Sequence, residues 1–553
     1  MTQLTKTPMS KKQPVSLDTS STAAIVETSA GKVRGYIRNN IYTFKGMPYG
    51  APTGGAARFM PPTRPAPWIG MRSCLHFGHV CPQVAISGSY LVTGGDNAPV
   101  DDEDAFLLYR AYLQPAGEDC LRLNVWTPEI NGATKRPVMV WLHGGGFQVG
   151  SGHDLIAYDG EALSTRGDVV VVTVNHRLGP FGHLNLAELG GERYAGSGNV
   201  GLLDIVLALE WVRENIERFG GDPGNVMIFG QSGGGGKVTA LMAMPAAKGL
   251  FHRAAVQSGS ILNMGQPEDT TALAALVLVE LDVKPGHIEG LQQFTVEQLL
   301  AAGQAAARKW SSAVRSSGGV DFRKLSRRLG WIPTVDGVTL PRHPFEPDAP
   351  ELSANVPLLV GTNLNEFVSG VDKPDAYSLT RQQLEQHLSE RYGQRTTAIL
   401  DTYQRCYPQA KPFDLLSYTA VASVRQSAVD QAERKAAQGR APAYYYLFAY
   451  RTPVLDGRPG AFHAAEITFV FDNLGRCSNL TGGDSQADVL AEQMSQAWIN
   501  FARYGDPNHA GLPHWPAYSA AKGETMVFDT PCLVQADPDR EARRMVLGDS
   551  QQR

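Results

Sequence analysis

The chain has 553 residues, of which 43% are hydrophobic and 19% are charged, and this composition is typical of a globular protein. A formal net charge of −4 gives no indication of a nucleic-acid partner or of an anionic membrane surface. The 6 cysteines are too few for a disulfide-stabilised scaffold. No stretch approaches the ~18 consecutive apolar residues of a membrane-spanning helix.

The first 22 residues are rich in Ser, Thr, Lys and Pro and contain no apolar segment of the kind that a secretory signal requires. A segment of this composition cannot bury enough apolar surface to fold, and we therefore expect residues 1–22 to form a disordered tail. Because no signal is evident, the expected location of the protein is the cytoplasm.

An apolar run at residues 138–142 is typical of a buried strand, and a His-Gly-Gly-Gly sequence follows it at residues 143–146. Bare glycines let backbone N–H groups face a substrate. A carbonyl group that is attacked by a nucleophile becomes an oxyanion, and such N–H groups stabilise it. The segment therefore predicts the loop of an oxyanion hole after a strand.

The middle of the chain alternates strand-like and helix-like segments. Residues 169–174 form a run of β-branched residues, which is expected for a strand that is covered on both faces. Between residues 203 and 219, apolar residues recur on one helical face, and Gly220 and Gly221 end that helix. This alternation predicts a mostly parallel sheet, in which ligands bind beyond the carboxyl ends of the strands.

A nucleophile elbow is predicted at residues 230–234, whose sequence is Gly-Gln-Ser-Gly-Gly. The motif follows a short apolar strand at residues 226–229, and a helix begins after it. In this context a Gly-x-Ser-x-Gly turn exposes a nucleophilic serine. Ser232 is therefore the candidate nucleophile, and Gly230 and Gly234 stand where a Cβ atom would collide with a neighbouring strand or helix.

With these motifs the chain resembles the type-B carboxylesterases, the family that includes the cholinesterases and the bacterial para-nitrobenzyl esterases. The serine signature matches at residues 219–234, and a second signature matches at residues 118–125, where Arg122 departs from the usual aromatic residue or Thr. The resemblance extends over about residues 25–518. It implies an α/β-hydrolase fold with a mostly parallel central sheet, helices on both faces and helical insertions over the active site.

The same resemblance implies one catalytic domain over residues 23–545. Two regions rich in helix formers, residues 266–354 and 371–439, interrupt the alternation. In the family, insertions of this kind cover the active site. We expect them to contain helices at residues 299–309 and 421–435 and to shape the substrate pocket.

A nucleophilic serine requires a base, and the base requires an orienting acid, which in α/β-hydrolases follow the serine in the order acid, then histidine. Glu366 lies just past a short apolar strand at residues 358–360 and matches the family's Gly-x-Asn-x-x-Glu pattern, in which the Glu is the acid. Asp336 and Asp372 are weaker alternatives. Among 13 histidines, His463 stands in a segment that resembles the family's catalytic-histidine segment, and it is the predicted base.

The resemblance therefore implies hydrolysis of carboxylic esters through an acyl-enzyme. Ser232 is expected to attack the carbonyl carbon, His463 to transfer the proton and Glu366 to orient the imidazole. The expected oxyanion hole consists of the N–H groups of Gly145, Gly146 and Gly233. The expected partner is a small-molecule ester, with no nucleic acid and no membrane, and the oligomeric state is left open.

No metal or cofactor is predicted. No His or Cys cluster has the spacing of a zinc site, and the glycine-rich run at residues 233–237, which ends in Lys237, lacks the spacing of a P-loop. Two alternatives remain open. An amidase or a carbamate hydrolase would use the same machinery, and a non-catalytic interaction protein could share the fold, since fold alone does not determine function.

Four other residues carry expectations that come from the resemblance. His143 is expected to brace the oxyanion loop rather than to act as the base. Ser258 resembles a family serine that supports the triad by hydrogen bonding, and a plain structural role fits equally. Cys81 and Cys120 occupy the contexts of a family disulfide, which a reducing cytosol would disfavour.

Gln231 stands where the cholinesterases have a Glu immediately before the nucleophile. The amide keeps the size and hydrogen-bonding capacity of that carboxylate but removes a negative charge beside the reacting centre. Because this charge would attract a substrate cation, we expect neutral short-chain esters to be better substrates than choline esters.

Overall fold

The computed structural model describes residues 15–83, 106–108, 114–284, 286–315, 330–367 and 374–548. Its strands are β1 (Leu17–Asp18), β2 (Ile25–Thr28), β3 (Gly31–Arg34), β4 (Tyr36–Arg38), β5 (Ile41–Pro48), β6 (Met71–Ser73), β7 (Arg122–Thr127), β8 (Arg136–Leu142), β9 (Val170–Val174), β10 (Gly221–Gln231), β11 (Arg253–Gln257), β12 (Leu358–Asn363), β13 (Ala443–Phe448), β14 (Glu524–Phe528) and β15 (Leu533–Ala536). Its α-helices are α1 (Glu161–Gly167), α2 (Gly179–His183), α3 (Ala187–Gly190), α4 (Val200–Asn215), α5 (Gly233–Leu241), α6 (Pro267–Glu280), α7 (Val296–Arg315), α8 (Arg381–Tyr392), α9 (Thr396–Cys406), α10 (Pro412–Ala420), α11 (Ala422–Ala437), α12 (Ile467–Val470), α13 (Ser478–Thr481), α14 (Ser485–Tyr504) and α15 (Arg540–Leu547).

One 12-stranded sheet runs through the described part of the chain, in the order β1-β4-β5-β7-β9-β8-β10-β11-β12-β13-β14-β15. The strands from β9 to β14 in this order run parallel to their neighbours. The two edges pair antiparallel. The prediction of a mostly parallel sheet is therefore confirmed, and the strands β2, β3 and β6 form a smaller sheet beside it.

Two apolar cores lie on opposite faces of the large sheet, because successive residues of a strand point to opposite sides. In β8, Val138, Val140 and Leu142 enter one core, whereas Met139 and Trp141 enter the other. The residues of β9 divide in the same way, and all of them are buried. The strand predicted from the β-branched run is therefore confirmed as one that is covered on both faces.

Helix α4 belongs to an apolar helical run, Glu192–Phe219. Within the described residues, this run is the 1 helix whose length and composition would allow it to cross a membrane. However, 78% of its apolar window is buried inside the protein. Ile205 and Leu209 contribute to the first core, so α4, which confirms the predicted central helix, is apolar because it packs there.

Part of the N-terminal segment that the sequence predicts to be disordered forms a strand. Residues 1–14 of the expected tail lie outside the described residues, but strand β1 pairs antiparallel with β4 at the edge of the large sheet. The expectation of a disordered tail that extends to residue 22 therefore does not hold. Backbone hydrogen bonds at a sheet edge can order a polar segment that has little apolar surface to bury.

The two predicted insertions contain helices, with α6 and α7 in the first and α8 to α11 in the second. Helices α7 and α11 correspond to those expected at residues 299–309 and 421–435. Helix α11 packs on β12 and β13, so it is a layer of the fold. Helix α10 reaches the loop after β12, where Ser417 Oγ donates to the carbonyl oxygen of Asn365 at 3.1 Å.

Candidate active site

Ser232 stands at the sharp turn between β10 and α5. Its φ of 57° and ψ of −124° lie in a region that residues with a side chain rarely adopt, and strain of this kind clusters at functional sites. The backbone holds the turn, because Ser232 N donates to Gln257 O at 2.8 Å and Ser232 O accepts from Gly236 N at 3.0 Å. The predicted order of strand, turn and helix around this serine is confirmed.

Two glycines allow the elbow to pack against β8. A Cβ atom at Gly230 would lie 2.6 Å from the carbonyl oxygen of Leu142, and a Cβ atom at Gly234 would lie 2.0 Å from the same oxygen. Both distances are far shorter than a van der Waals contact, and the obstacle is backbone. The prediction that these positions require glycine is therefore confirmed.

The His-Gly-Gly-Gly loop leaves the sheet directly beside the elbow. Leu142, the last residue of β8, pairs with Gly230 of β10. Because the two strands are parallel, the segments that follow them emerge at the same edge. A Cβ atom at Gly144 would lie only 3.5 Å from the Cβ atom of Ser232.

The three glycines expected to form the oxyanion hole lie together. A Cβ atom at Gly233 would lie 2.1 Å from the carbonyl oxygen and 2.4 Å from the nitrogen of Gly146. Gly145 and Gly146 have φ values of 87° and 63°. The loop therefore uses glycine both for a close approach to α5 and for a left-handed backbone.

His463 and Glu366 are joined through both side chain and backbone. His463 Nδ1 lies 2.5 Å from Glu366 Oε2, and the Glu366 side chain is buried. His463 N donates to the carbonyl oxygen of Glu366 at 2.9 Å. The other carboxylate oxygen, Oε1, accepts from Asn363 N at 2.8 Å. With Nδ1–H donating to the carboxylate, Nε2 is the nitrogen that can accept a proton.

Asp336, one of the two weaker acid candidates, forms hydrogen bonds to groups other than the imidazole of His463. Asp336 Oδ2 accepts from Asn199 Nδ2 at 2.9 Å, and its Oδ1 accepts from the backbone N–H groups of Val338 and Leu340. Asp372 lies outside the described residues. Of the two described candidates, Glu366 is the one that the structure places against His463.

The side-chain amide of Gln231 lies against the imidazole. Its Nε2 is 3.1 Å from His463 Nε2 and 3.4 Å from His463 Nδ1. In the described part of the chain, His463 makes no hydrogen bond to Ser232 Oγ, and such bonds often form only when substrate binds. The sequence singled out Gln231 for a missing charge, but it did not predict this contact with the base.

A second carboxyl group, that of Glu466, is linked to Glu366 through Asn363, which donates hydrogen bonds to both side chains. It is fully buried and accepts hydrogen bonds from Asn363 Nδ2 at 2.7 Å and from Gln257 Nε2 at 3.2 Å. Burial, together with the negative charge of Glu366, raises the pKa of Glu466 to about 7. The sequence analysis missed this residue, although an acidic residue inside an apolar segment is a signal of a buried polar network.

His143 occupies a structural position, as expected. Its ring stacks on that of His176 with the centroids 5.0 Å apart, and its Nδ1 lies 2.8 Å from Gly144 O. Its own carbonyl oxygen accepts a hydrogen bond from Lys237 Nζ at 2.8 Å. These contacts support a brace of the oxyanion loop.

Two interactions that the resemblance implies, a hydrogen bond from Ser258 to the triad and a disulfide, are not formed among the described residues. The Ser258 hydroxyl is buried and has no hydrogen-bond partner among the described residues, so it makes no bond to the triad. Cys81 and Cys120 are buried free thiols. A hydrogen bond between the two thiols and their burial raise the pKa of Cys120 well above its usual value.

The chain is similar to known proteins over nearly its whole length. Residues 22–544 match the model of the carboxylesterase family. The para-nitrobenzyl esterase of Bacillus subtilis (strain 168) is 34% identical over 528 residues, which cover 95% of this chain and 99% of that protein.

Two solved structures share the fold over nearly their whole length. An esterase from Clostridium hathewayi, described as able to hydrolyse aliphatic aromatic polyesters, has a TM-score of 0.81 at 34% identity and covers 97% of this chain and 99% of its own. The carboxylesterase EST55 of Geobacillus stearothermophilus has a TM-score of 0.75 at 35% identity and covers 95% of this chain and 100% of its own.

Proposed function

Since the chain belongs to the carboxylesterase family, and is therefore a serine hydrolase of carboxylic esters with the α/β-hydrolase fold, we propose that Ser232, His463 and Glu366 are its catalytic triad. The observation that carries this proposal is the 2.5 Å contact between His463 Nδ1 and Glu366 Oε2. A carboxylate at Nδ1 holds the proton there and stabilises the imidazolium that forms during the reaction.

In this proposal, Ser232 Oγ attacks the ester carbonyl carbon while His463 Nε2 accepts the hydroxyl proton. The C–O bond of the tetrahedral intermediate then breaks, and His463 returns the proton to the leaving alcohol. A water molecule then attacks the acyl-enzyme by the same steps and releases the carboxylic acid. The amide of Gln231, which lies 3.1 Å from Nε2, must yield its place when Ser232 Oγ approaches the base.

The oxyanion of each intermediate is proposed to accept hydrogen bonds from the N–H groups of Gly145, Gly146 and Gly233. The close packing of Gly233 on Gly146 supports this role, because it places both segments beside the nucleophile. Donors that are held in place before the reaction stabilise the charge only as it develops.

The substrates of the family are small-molecule esters, and we propose that uncharged esters suit this site best. Gln231 contributes hydrogen-bonding groups next to the base and no charge. A substrate cation therefore finds no carboxylate at this position. A cationic ester thus gains no attraction from residue 231 over an ester of an uncharged alcohol.

The experiment that tests the triad compares Ser232→Ala with wild type on a neutral p-nitrophenyl ester. Turnover should fall on the order of 10⁴-fold or more, because triad members act as a unit. A fluorophosphonate probe should label wild type at Ser232 and should not label the variant. Ser495→Ala, at a buried serine of α14, is the matched control and should keep both turnover and labelling.

A folded Ser232→Ala variant that retains more than about a tenth of wild-type turnover would contradict the proposal, since a true nucleophile cannot be dispensable. Labelling of a serine other than Ser232 would also contradict it. Circular dichroism spectra that match wild type would establish that the variant is folded.

A further inference from the structure

Lys237 places a buried ammonium group behind the oxyanion loop. Its side chain is fully buried on α5, and its Nζ donates to the carbonyl oxygen of His143 at 2.8 Å. Residues four apart on a helix share one face, so Lys237 lies one turn below Gly233 on the face that packs against residues 143–146.

Burial of the Lys237 ammonium group costs folding free energy. Burial lowers the pKa of Lys237 to about 7. In the part of the chain that the structure describes, Nζ forms no ion pair, and Asp154 acts on it only through its charge. Besides the His143 carbonyl, Nζ faces the ring of Phe147 at 6.0 Å from its centroid, and neither group carries the full negative charge that would offset the burial of an ammonium group.

The loop that Lys237 contacts has few side chains to hold it. Gly145 and Gly146 have left-handed φ values, and a glycine backbone adopts many other conformations with equal ease. At the far end, the N–H groups of Gln148 and Val149 donate to Gly145 O at 3.2 and 3.1 Å. At the near end, the bond from Lys237 holds the His143 carbonyl and so fixes where the loop begins.

We propose that Lys237 is a positioning residue of the oxyanion hole, which holds the His143 carbonyl so that the following N–H groups meet the oxyanion. This inference rests on the proposed function. The oxyanion exists only in the intermediates and transition states, so loss of the lysine should lower kcat and leave KM nearly unchanged.

The chain offers a matched control in a second buried lysine. Lys435 of α11 donates to Ser353 O at 2.9 Å and to Ala354 O at 2.7 Å. Burial lowers the pKa of Lys435 to about 8. It resembles Lys237 in burial and in bonding to backbone carbonyls, but it lies on the helix that packs on β12 and β13. In the described part of the chain, its hydrogen bonds go to Ser353, Ala354 and Gln438, none of which belongs to the site.

The experiment measures kcat and KM of full-length Lys237→Met and Lys435→Met on a neutral p-nitrophenyl ester, with active sites counted by fluorophosphonate labelling. Methionine keeps the length of the lysine stem and removes the donor and the charge. For Lys237→Met, kcat should fall about tenfold or more per labelled site while KM changes less than about threefold. For Lys435→Met, kcat should stay within about twofold of wild type, because a carbonyl brace outside the site should affect stability only.

A Lys237→Met variant with kcat within about twofold of wild type would overturn the inference, and so would an equal loss of kcat in Lys435→Met. If Lys237→Met is not recovered folded, Lys237→Gln takes its place under the same criteria, because the shorter amide ends too far from the His143 carbonyl. Complete labelling of the variant at Ser232 would show that nucleophile and base are intact. If wild type itself is not labelled at Ser232, the proposed triad fails instead.

Discussion

At the scale of single residues, the imidazole of His463, the proposed base, contacts a carboxylate, an amide and the ring of Phe367, whose centroid lies 3.9 Å away. Glu366 contacts Nδ1 of His463, and the amide of Gln231 contacts Nε2. The carboxylate places a negative charge beside the ring, whereas the amide contacts the ring without adding charge. The electrostatic field at the reacting centre therefore depends on whether residue 231 carries a carboxylate.

Gln231→Glu should give the enzyme a preference for cationic esters. A carboxylate about 5 Å from a substrate cation contributes roughly 3 kcal/mol at an effective dielectric constant near 20. We expect wild type to show less than about a tenfold preference for acetylcholine over its uncharged isostere 3,3-dimethylbutyl acetate, and the variant to raise this kcat/KM ratio by about tenfold or more.

Gln386→Glu on α8 is the control, because this exposed position changes the net charge equally and lies outside the site. It should leave the ratio unchanged. A wild-type preference of about tenfold or more for acetylcholine, which corresponds to roughly 1.4 kcal/mol, would show that another group attracts the cation.

At the scale of elements, the site depends on how closely β8, β10 and α5 approach one another. The positions that a Cβ atom would take at Gly230 and Gly234 are both occupied by the carbonyl oxygen of Leu142. The oxyanion loop starts at the next residue, so any movement of this junction also moves the loop. In the proposed mechanism, packing and catalysis are therefore coupled at the N-terminus of α5.

Gly234→Ala should lower both stability and turnover. The added Cβ atom would lie 2.0 Å from Leu142 O and 2.9 Å from His143 O, and these backbone atoms can yield only if β8 or α5 shifts. Overpacking of this kind costs about 1–3 kcal/mol or more of unfolding free energy. Urea unfolding and kcat on a neutral ester would measure the two effects.

Gly290→Ala serves as the comparison, because a Cβ atom at this exposed glycine would meet nothing within 4 Å. This variant should match wild type in both measurements. A Gly234→Ala protein with wild-type stability and kcat would mean that the junction is looser than the packing of these backbone atoms indicates.

At the scale of the whole molecule, the sheet gathers polar groups from distant parts of the chain between its two apolar cores. Glu466 receives hydrogen bonds from Asn363 of β12 and Gln257 of β11, and Trp498 of α14 donates in turn to Gln257 Oε1 at 3.1 Å. These groups come together only when the sheet and the helix behind it have formed. The titration of Glu466 is therefore coupled to folding of the entire domain.

Glu466→Gln should gain stability relative to wild type as the pH rises. The pKa of Glu466 is about 7 in the folded state and near 4.5 in the unfolded chain, so between these values only the folded protein binds the proton. Wild-type stability from this group is therefore full below pH ~4.5 and is lost as the pH rises to ~7, about 3 kcal/mol in all.

Thermal unfolding of wild type and variant at pH 5 and pH 8, at one scan rate, would measure this effect. The Tm of Glu466→Gln minus that of wild type should be more positive at pH 8 than at pH 5. A Tm difference that is equal at both pH values would show that Glu466 is ionised in the folded state across this range.

The elbow and the oxyanion loop could be predicted from sequence because each is a local pattern with a local cause. A strand, a serine flanked by glycines and a helix define the turn at Ser232, and the run after residue 142 defines the loop. Glu366 and His463 had weaker local signals, and their prediction depended on the resemblance and on chain order. In the structure, His463 Nδ1 lies 2.5 Å from Glu366 Oε2.

By itself, the sequence determined the family, the mostly parallel sheet and the residues that we propose as the triad. Only the tertiary structure decided what surrounds them: the contact of Gln231 with His463, which are 232 residues apart in the chain, the burial of Glu466 and the bond from Lys237 to His143. The reason is physical. Motifs encode local backbone geometry, whereas the neighbours of a side chain depend on strand order and on which elements the folded sheet brings together.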